Sequence, residues 1–216
     1  MLHVKKITGG PLAVNCYLIF DQETGKAAAV DPGFWSDELE HALCQIGMDS
    51  VEAILLTHGH HDHISGVPEL RRKTGAKIYI HERDHRFPLD SSLSLSRTIM
   101  GGSGEPFHAD VLLSDGDTVS VGSLLVSVLH TPGHTGGSCC FQVEKGLFTG
   151  DTLMRGTRGR TDFPTGNEGE MERSLCRLRD LDGDFFVYPG HGADSTLSYE
   201  RKYNPFLRGA SDDFAD

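Results

Sequence analysis

Short apolar runs separated by glycine-, proline- and aspartate-rich breaks recur along the chain, with helical spacing between some of them. Val4 to Ile7, Val14 to Phe20 and Lys26 to Asp31 read as strands. The last two are joined by the turn-forming Asp21-Gln22-Glu23-Thr24-Gly25, which predicts an antiparallel opening. Ser36 or Asp37 caps a helix running to about Ile46, with Leu39, Ala42, Leu43 and Ile46 on one face and Gly47 closing it. Val51-Glu52-Ala53-Ile54-Leu55-Leu56 is short, nearly all apolar and bounded by polar residues, so a buried strand is expected there. A second helix should run from Gly66 through Leu70 to Lys73, ending at Gly75, before a strand at Ala76 to Ile80.

The second half repeats the theme. Val119 to Val121, Leu124 to Leu129, Ser138 to Val143 and Gly146 to Phe148 are expected to make a second, antiparallel sheet. Glu168 to Leu181 is helical in pattern: Met171, Leu175, Leu178 and Leu181 share a face, and acids precede arginines as the helix dipole prefers. Phe185 to Tyr188 reads as a strand, and Ser195 to Leu207 has helical spacing through Leu197, Tyr199 and Tyr203. Helices alternating with strands point to an α/β fold class.

The chemistry sits at the strand ends. Thr57-His58-Gly59-His60-His61-Asp62-His63 follows the buried strand directly, and His58, His60, Asp62 and His63 are all metal-ligand types. Three further residues, each after an apolar run, extend the set: His134 in Pro132-Gly133-His134-Thr135, Asp151 in Thr149-Gly150-Asp151, and His191 in Pro189-Gly190-His191-Gly192. Glycine beside each ligand permits close approach of backbone and metal, and the prolines fix turns.

This ordered set resembles the metallo-β-lactamase superfamily over nearly the whole chain, with its His-x-His-x-Asp-His motif followed by a lone His, an Asp and a final His. The resemblance implies an αβ/βα sandwich, two mixed β-sheets flanked by helices. It implies two divalent metal ions, the first on His58, His60 and His134, the second on Asp62, His63 and His191, with Asp151 bridging. Asp31, ending the third strand, matches a residue that braces the metal loops. Zinc is the first expectation, and iron or manganese also suits these ligands.

Within the superfamily the chain is most similar to the glyoxalase II-like group, in particular to short bacterial members without the separate glutathione-binding domain. The residues that carry this are Gly150-Asp151-Thr152-Leu153, Arg155-Gly156, Gly159-Arg160-Thr161-Asp162-Phe163-Pro164, Tyr188-Pro189-Gly190-His191-Gly192, Ser195-Thr196-Leu197, Glu200-Arg201 and Asn204-Pro205-Phe206. The implied reaction is thioester hydrolysis, with S-D-lactoylglutathione as the type substrate and Asp62 orienting the attacking water and taking its proton. Longer glyoxalases II have Lys and then Tyr in the loop after the bridging Asp; here that loop carries Arg160 and Asp162. Arg160 is the first choice for gripping a substrate carboxylate, with Arg155 and Arg158 behind it, and internal pairing with Asp162 or with Glu168 to Glu172 is the competing role. The same Gly-x-Gly-Arg-Thr-Asp-Phe stretch resembles the persulfide dioxygenases, which would use one iron on His58, His134 and Asp151. Another hydrolase of this fold, or a metal-binding protein of low activity, is the third reading.

Composition narrows the field. With 216 residues and 38% hydrophobic content, a single domain spanning 1–216 is expected, and a net charge of −11 opposes a phosphate-tracking surface, which disfavours a nucleic-acid partner. No stretch reaches membrane-spanning length and the amino terminus lacks a signal-peptide core, so a cytoplasmic protein acting on a small thioester is expected. Five cysteines are expected to be reduced packing residues, with Cys139 and Cys140 pointing to opposite faces of a strand. From residue 82 to 108 the pattern breaks down through Pro88, a serine-rich run and Gly101-Gly102-Ser103-Gly104, which suggests a substrate-covering lid or a mobile loop. His61 should point away from the metals, and His130 should pack or hydrogen-bond.

Overall fold

The computed structural model describes residues 1–100 and 104–208; Gly101, Gly102 and Ser103 of the expected lid lie outside the described residues. Strands β1 (Leu2–Gly9), β2 (Val14–Asp21) and β3 (Ala27–Val30) form the antiparallel opening. Helix α1 (Asp37–Ile46) leads to β4 (Val51–Leu56), a short helical turn α2 (His61–Ile64), helix α3 (Val67–Thr74) and β5 (Lys77–His81). Ser36 caps α1 by accepting from Leu39 N at 3.2 Å, and Gly75 ends α3 in the left-handed conformation. After α4 (Ser96–Met100), β6 (Val111–Leu113) completes a six-stranded sheet in the order β1-β2-β3-β4-β5-β6, parallel from β3 onward.

The second sheet contains β7 (Thr118–Val121), β8 (Leu124–His130), β9 (Cys139–Val143) and β10 (Gly146–Gly150), antiparallel as expected. A two-stranded ribbon, β11 (Leu153–Met154) and β12 (Thr157–Arg158), then precedes α5 (Glu168–Arg179). The whole sheet is mixed rather than antiparallel, because β13 (Phe186–Pro189) joins β10 in parallel after this long crossover. β14 (Ser195–Thr196) pairs antiparallel with β13, giving the order β14-β13-β10-β9-β8-β7. The expected single tail helix is divided into α6 (Leu197–Tyr203) and α7 (Pro205–Arg208): Asn204 is extended, as a residue before proline tends to be.

Side-chain alternation sorts the apolar residues into three layers of core. Leu18, Ile54, Leu56, Ile78 and Ile80 face α1 and α3, where Leu39, Leu43, Val67 and Leu70 meet them. Tyr17, Ile19, Ala53 and Leu55 face the other sheet through Val126, Val128, Phe141 and Phe148. On that sheet's outer side, Cys140, Leu147 and Val187 pack on Met171, Leu175 and Leu178 of α5. The α/β fold is therefore helix, sheet, sheet, helix, the sandwich expected. Cys139 and Cys140 fall in different layers, and all five cysteines are free, although Cys44 is exposed rather than buried. Among the described residues no helix is long and apolar enough to cross a membrane.

Residues 82 to 100 are not a plain irregular loop. They form single turns of 3-10 helix at Glu82–Asp84 and Phe87–Leu89 before α4, and Asp84, Phe87 and Leu95 are buried. The reason is local packing: Ser94 O accepts from His61 N at 2.8 Å, and Phe87 covers Gly59 so closely that a Cβ there would meet it at 2.3 Å.

Candidate metal centre

Both sheets end in loops on the same edge of the sandwich, and the seven expected ligands meet there. The backbone is extended through His60, then turns helical, so Asp62 and His63 leave the loop from α2. One ligand atom from each of His58, His60 and His134 lies within 4.8 Å of the others, and the same holds for Asp62, His63 and His191. In the first cluster His60 Nδ1 lies 2.9 Å from His134 Nε2. In the second, His191 Nε2 lies 3.1 Å from Asp62 Oδ2 and 3.3 Å from His63 Nε2. Asp151 stands between them: its Oδ2 is 3.5 Å from His134 Nε2 and 3.8 Å from His191 Nε2, and its Oδ1 is 3.5 Å from His63 Nε2.

Hydrogen bonds outside the clusters set the ring orientations. Asp31, at a positive φ of 49°, accepts from Thr57 N at 2.8 Å and Thr57 Oγ1 at 2.6 Å, and pairs with His63 Nδ1 at 2.9 Å. A third grouping of donor atoms, Asp31 with His58 and His63, is thus a brace: both Asp31 oxygens are already engaged. His134 Nδ1 faces Arg160 O at 2.7 Å and His191 Nδ1 faces Leu12 O at 3.1 Å, which leaves the Nε2 atoms toward the centre. The N-terminal hairpin therefore helps to seat the last of the expected ligands, and Asn15 N donates to Gly190 O at 2.7 Å beside it. Gly190 is required by crowding: a Cβ there would lie 2.4 Å from Asp151 Oδ1.

The donor set fits metal ions. Among the described residues four buried side-chain polar atoms have no hydrogen-bond partner, and three of them are His58 Nε2, His60 Nε2 and Asp151 Oδ1. Buried polar atoms are rarely left alone, so such a concentration marks a place built for a ligand. Burial, reinforced by neighbouring histidines, holds His58 and His60 well below the usual imidazole range, so both are neutral donors. Burial opposes ionisation of Asp62, but the charges of His63 and His191 outweigh it and keep the carboxylate ionised. Burial pulls His63 down, yet Asp62, Asp151 and Asp31 together push it up to about 10.

Over the centre lies a cavity of about 340 Å³, with Leu12, Leu95, Met154 and Phe163 as apolar walls and His60, Asp62, His134, Asp151, His191 and Arg160 at polar positions. The Arg160 side chain is 57% exposed, stacks on Phe163 at 4.0 Å and donates to both Asp162 oxygens at 2.6 Å. Arg155 and Arg158 are placed elsewhere. Arg155 stacks on Tyr199 and donates to Asp194 O, while Arg158 pairs with Glu168 and stacks on Phe206. His61 joins neither cluster, and His130 stacks on His81 with ring centres 3.9 Å apart. Two contributors had no distinguishing signal in the sequence: the Leu12 carbonyl, which is backbone, and Asp84. The buried Asp84 carboxylate accepts from Gly59 N at 3.0 Å, Thr135 Oγ1 at 2.7 Å and Gly137 N at 2.8 Å.

The chain belongs to the metallo-β-lactamase superfamily, whose family model matches residues 9–191, and its relatives include a probable metallo-hydrolase, YqgX of Bacillus subtilis, at 30% identity over 210 residues, covering 96% of this chain and 98% of the relative. It is 37% identical over 206 residues to an uncharacterised protein of Aquifex aeolicus, covering 94% of this chain and 96% of the relative. It is 32% identical over 201 residues to the hydroxyacylglutathione hydrolase GloC of Haemophilus influenzae, covering 91% and 94% respectively. Among solved structures, the BLEG-1 B3 metallo-β-lactamase superposes with a TM-score of 0.90 at 32% identity, over 96% of this chain and all of the other (100%). TTHA1623 in a di-iron-bound form gives a TM-score of 0.81 at 34% identity, over 94% of this chain and 100% of that one.

Proposed function

We propose that His58, His60, Asp62, His63, His134, Asp151 and His191 hold two divalent metal ions and that the protein hydrolyses a hydroxyacyl thioester of the lactoylglutathione kind. The observation that carries this is the pair of adjacent donor clusters joined by Asp151 beneath a single cavity. The GloC relative supports the thioester class and the di-iron neighbour supports divalent metals, with zinc, iron and manganese all compatible with these ligands. Bound there, two cations supply a water acidified toward neutrality and a Lewis acid for the carbonyl.

The chain's own residues do the rest. Asp62, ionised at the floor of the cavity, orients the attacking water and accepts its proton. Asp31 and the Leu12 carbonyl keep His63 and His191 aimed, and Leu12, Leu95, Met154 and Phe163 hold the acyl group while limiting bulk water. The thiolate leaves without a strong acid. Arg160 takes a substrate carboxylate when that group displaces Asp162, which already shows the bidentate geometry needed. The ETHE1 neighbour from Myxococcus xanthus, at 27% identity and a TM-score of 0.76, supports the persulfide dioxygenase alternative, in which a single iron on His58, His134 and Asp151 would leave His60, His63 and His191 without a ligand role. The B3 lactamase neighbour favours a second reading, attack of the same centre on a β-lactam amide.

The test is turnover of S-D-lactoylglutathione by protein loaded separately with zinc, manganese or iron, with an Asp62→Asn control and a chromogenic cephalosporin in parallel. Asp62-dependent loss of the thioester absorbance is the expected result. Cephalosporin cleavage without thioester cleavage replaces this reading with the second.

A further inference from the structure

We propose that Asp84 is the positioning residue of the first donor cluster, fixing the loops that carry His60 and His134 and so governing metal retention at that site alone. The inference rests on the two-metal reading above. Asp84 is fully buried in the segment after β5, far along the chain from either loop. One of its oxygens accepts from Gly59 N, between His58 and His60, and from the Thr135 hydroxyl, next to His134; the other accepts from Gly137 N. One carboxylate thus binds both ligand loops of the first cluster to each other.

Several observations separate this from ordinary packing. The partners are three neutral donors with no cation among them, so the carboxylate is held by directed bonds, which weaken sharply with misalignment. The contact is built for closeness: a Cβ on Gly137 would lie 2.6 Å from Asp84 Cγ. Thr135 is itself fixed by Ser138 Oγ at 2.8 Å, so the network has little freedom to re-form around a different side chain. The second cluster takes its orientation from other groups, Asp31 on His63 and the Leu12 carbonyl on His191. Loss of the Asp84 carboxylate therefore loosens one cluster and spares the other.

Asp84→Asn keeps the volume but turns an NH2 group toward at least one N–H or O–H donor. Zinc content is measured after dialysis against a weak chelator, with circular dichroism reporting the fold. Wild type is expected to keep two ions per chain and Asp84→Asn one, with first-site affinity lowered roughly 10- to 100-fold, the range typical when a partner that orients metal ligands is lost. Double variants locate the ion that remains: adding His191→Ala to Asp84→Asn removes it, and adding His58→Ala does not. Thr135→Val, which deletes one of the three donors and keeps the shape, should shift first-site affinity in the same direction by less, and it serves if Asp84→Asn does not fold. Two tightly held ions in both Asp84→Asn and Thr135→Val, or equal loss from both sites, overturns the proposal. A wild-type protein that holds no ion overturns the two-metal reading itself.

Discussion

The two donor clusters share a wall yet differ in kind. The first is all imidazole, its three residues almost wholly buried, with burial keeping His58 and His60 uncharged. The second combines Asp62 with His63 and His191, keeps a quarter of the His191 side chain (24%) open to solvent, and holds a proton on His63 while no metal is bound. The uncharged His58 and His60 accept a cation with no proton of their own to expel, whereas His63 in the second cluster must exchange a proton for one. The loading of the two sites should therefore respond differently to pH, and the carboxylate of the second should widen its tolerance toward harder ions such as manganese.

The strongest way to break this distinction is to remove the residue common to both. Asp151→Asn should cost roughly 1,000-fold in kcat/KM of the metal-loaded protein, since several kcal/mol of transition-state stabilisation depend on the paired site. A loss confined to one site's metal content, with activity kept, would mean that Asp151 does not bridge. Next in size is Asp31→Asn, expected to lower second-site affinity roughly 10- to 100-fold, with a smaller loss at the first through Thr57 and His58. Competition titration against a chromophoric chelator resolves the two.

The pH dependence is finer. With its folded pKa raised from 6.5 to about 10, His63 stabilises the metal-free fold fully below pH 6.5 and loses that contribution as pH rises through about 10. Apparent second-site affinity should accordingly climb with pH across neutrality and level off near 10, with first-site affinity flatter. Calorimetry in buffers of different ionisation enthalpy counts the released proton; equal proton release at both sites would erase the contrast. The smallest effect belongs to Arg160→Met. Because Arg160 is exposed and already paired, its loss should raise KM by roughly fivefold, with kcat unchanged.

The gathering of the seven His and Asp residues in one place was legible because their chemistry and their position at strand ends coincide. Val51 to Leu56 is apolar on both faces and announces a central strand, so the next loop falls at a sheet edge. Asp31 was legible through family resemblance. Asp84 was not, because a carboxylate in a stretch with no periodicity looks like any solvated acid until three donors from distant loops are seen around it. The arginines show the same limit. Arg155, Arg158 and Arg160 share a short segment, but a two-stranded ribbon and neighbouring aromatic rings send only Arg160 to the cavity. The mixed character of the second sheet was legible only through the family resemblance and not in the residue pattern: nothing within β13 states which neighbour it will choose after the α5 crossover.

Seating His191 against the Leu12 carbonyl and the first hairpin has a consequence for synthesis on the ribosome. The first cluster is encoded by residue 134, but the second lacks a ligand until residue 191 has emerged and returned to the earliest-made strands. A nascent chain can thus gather three imidazoles long before it can gather the carboxylate-bearing set. Assembly of the two donor clusters would follow the order of translation, the second being completed only after residue 191 has emerged.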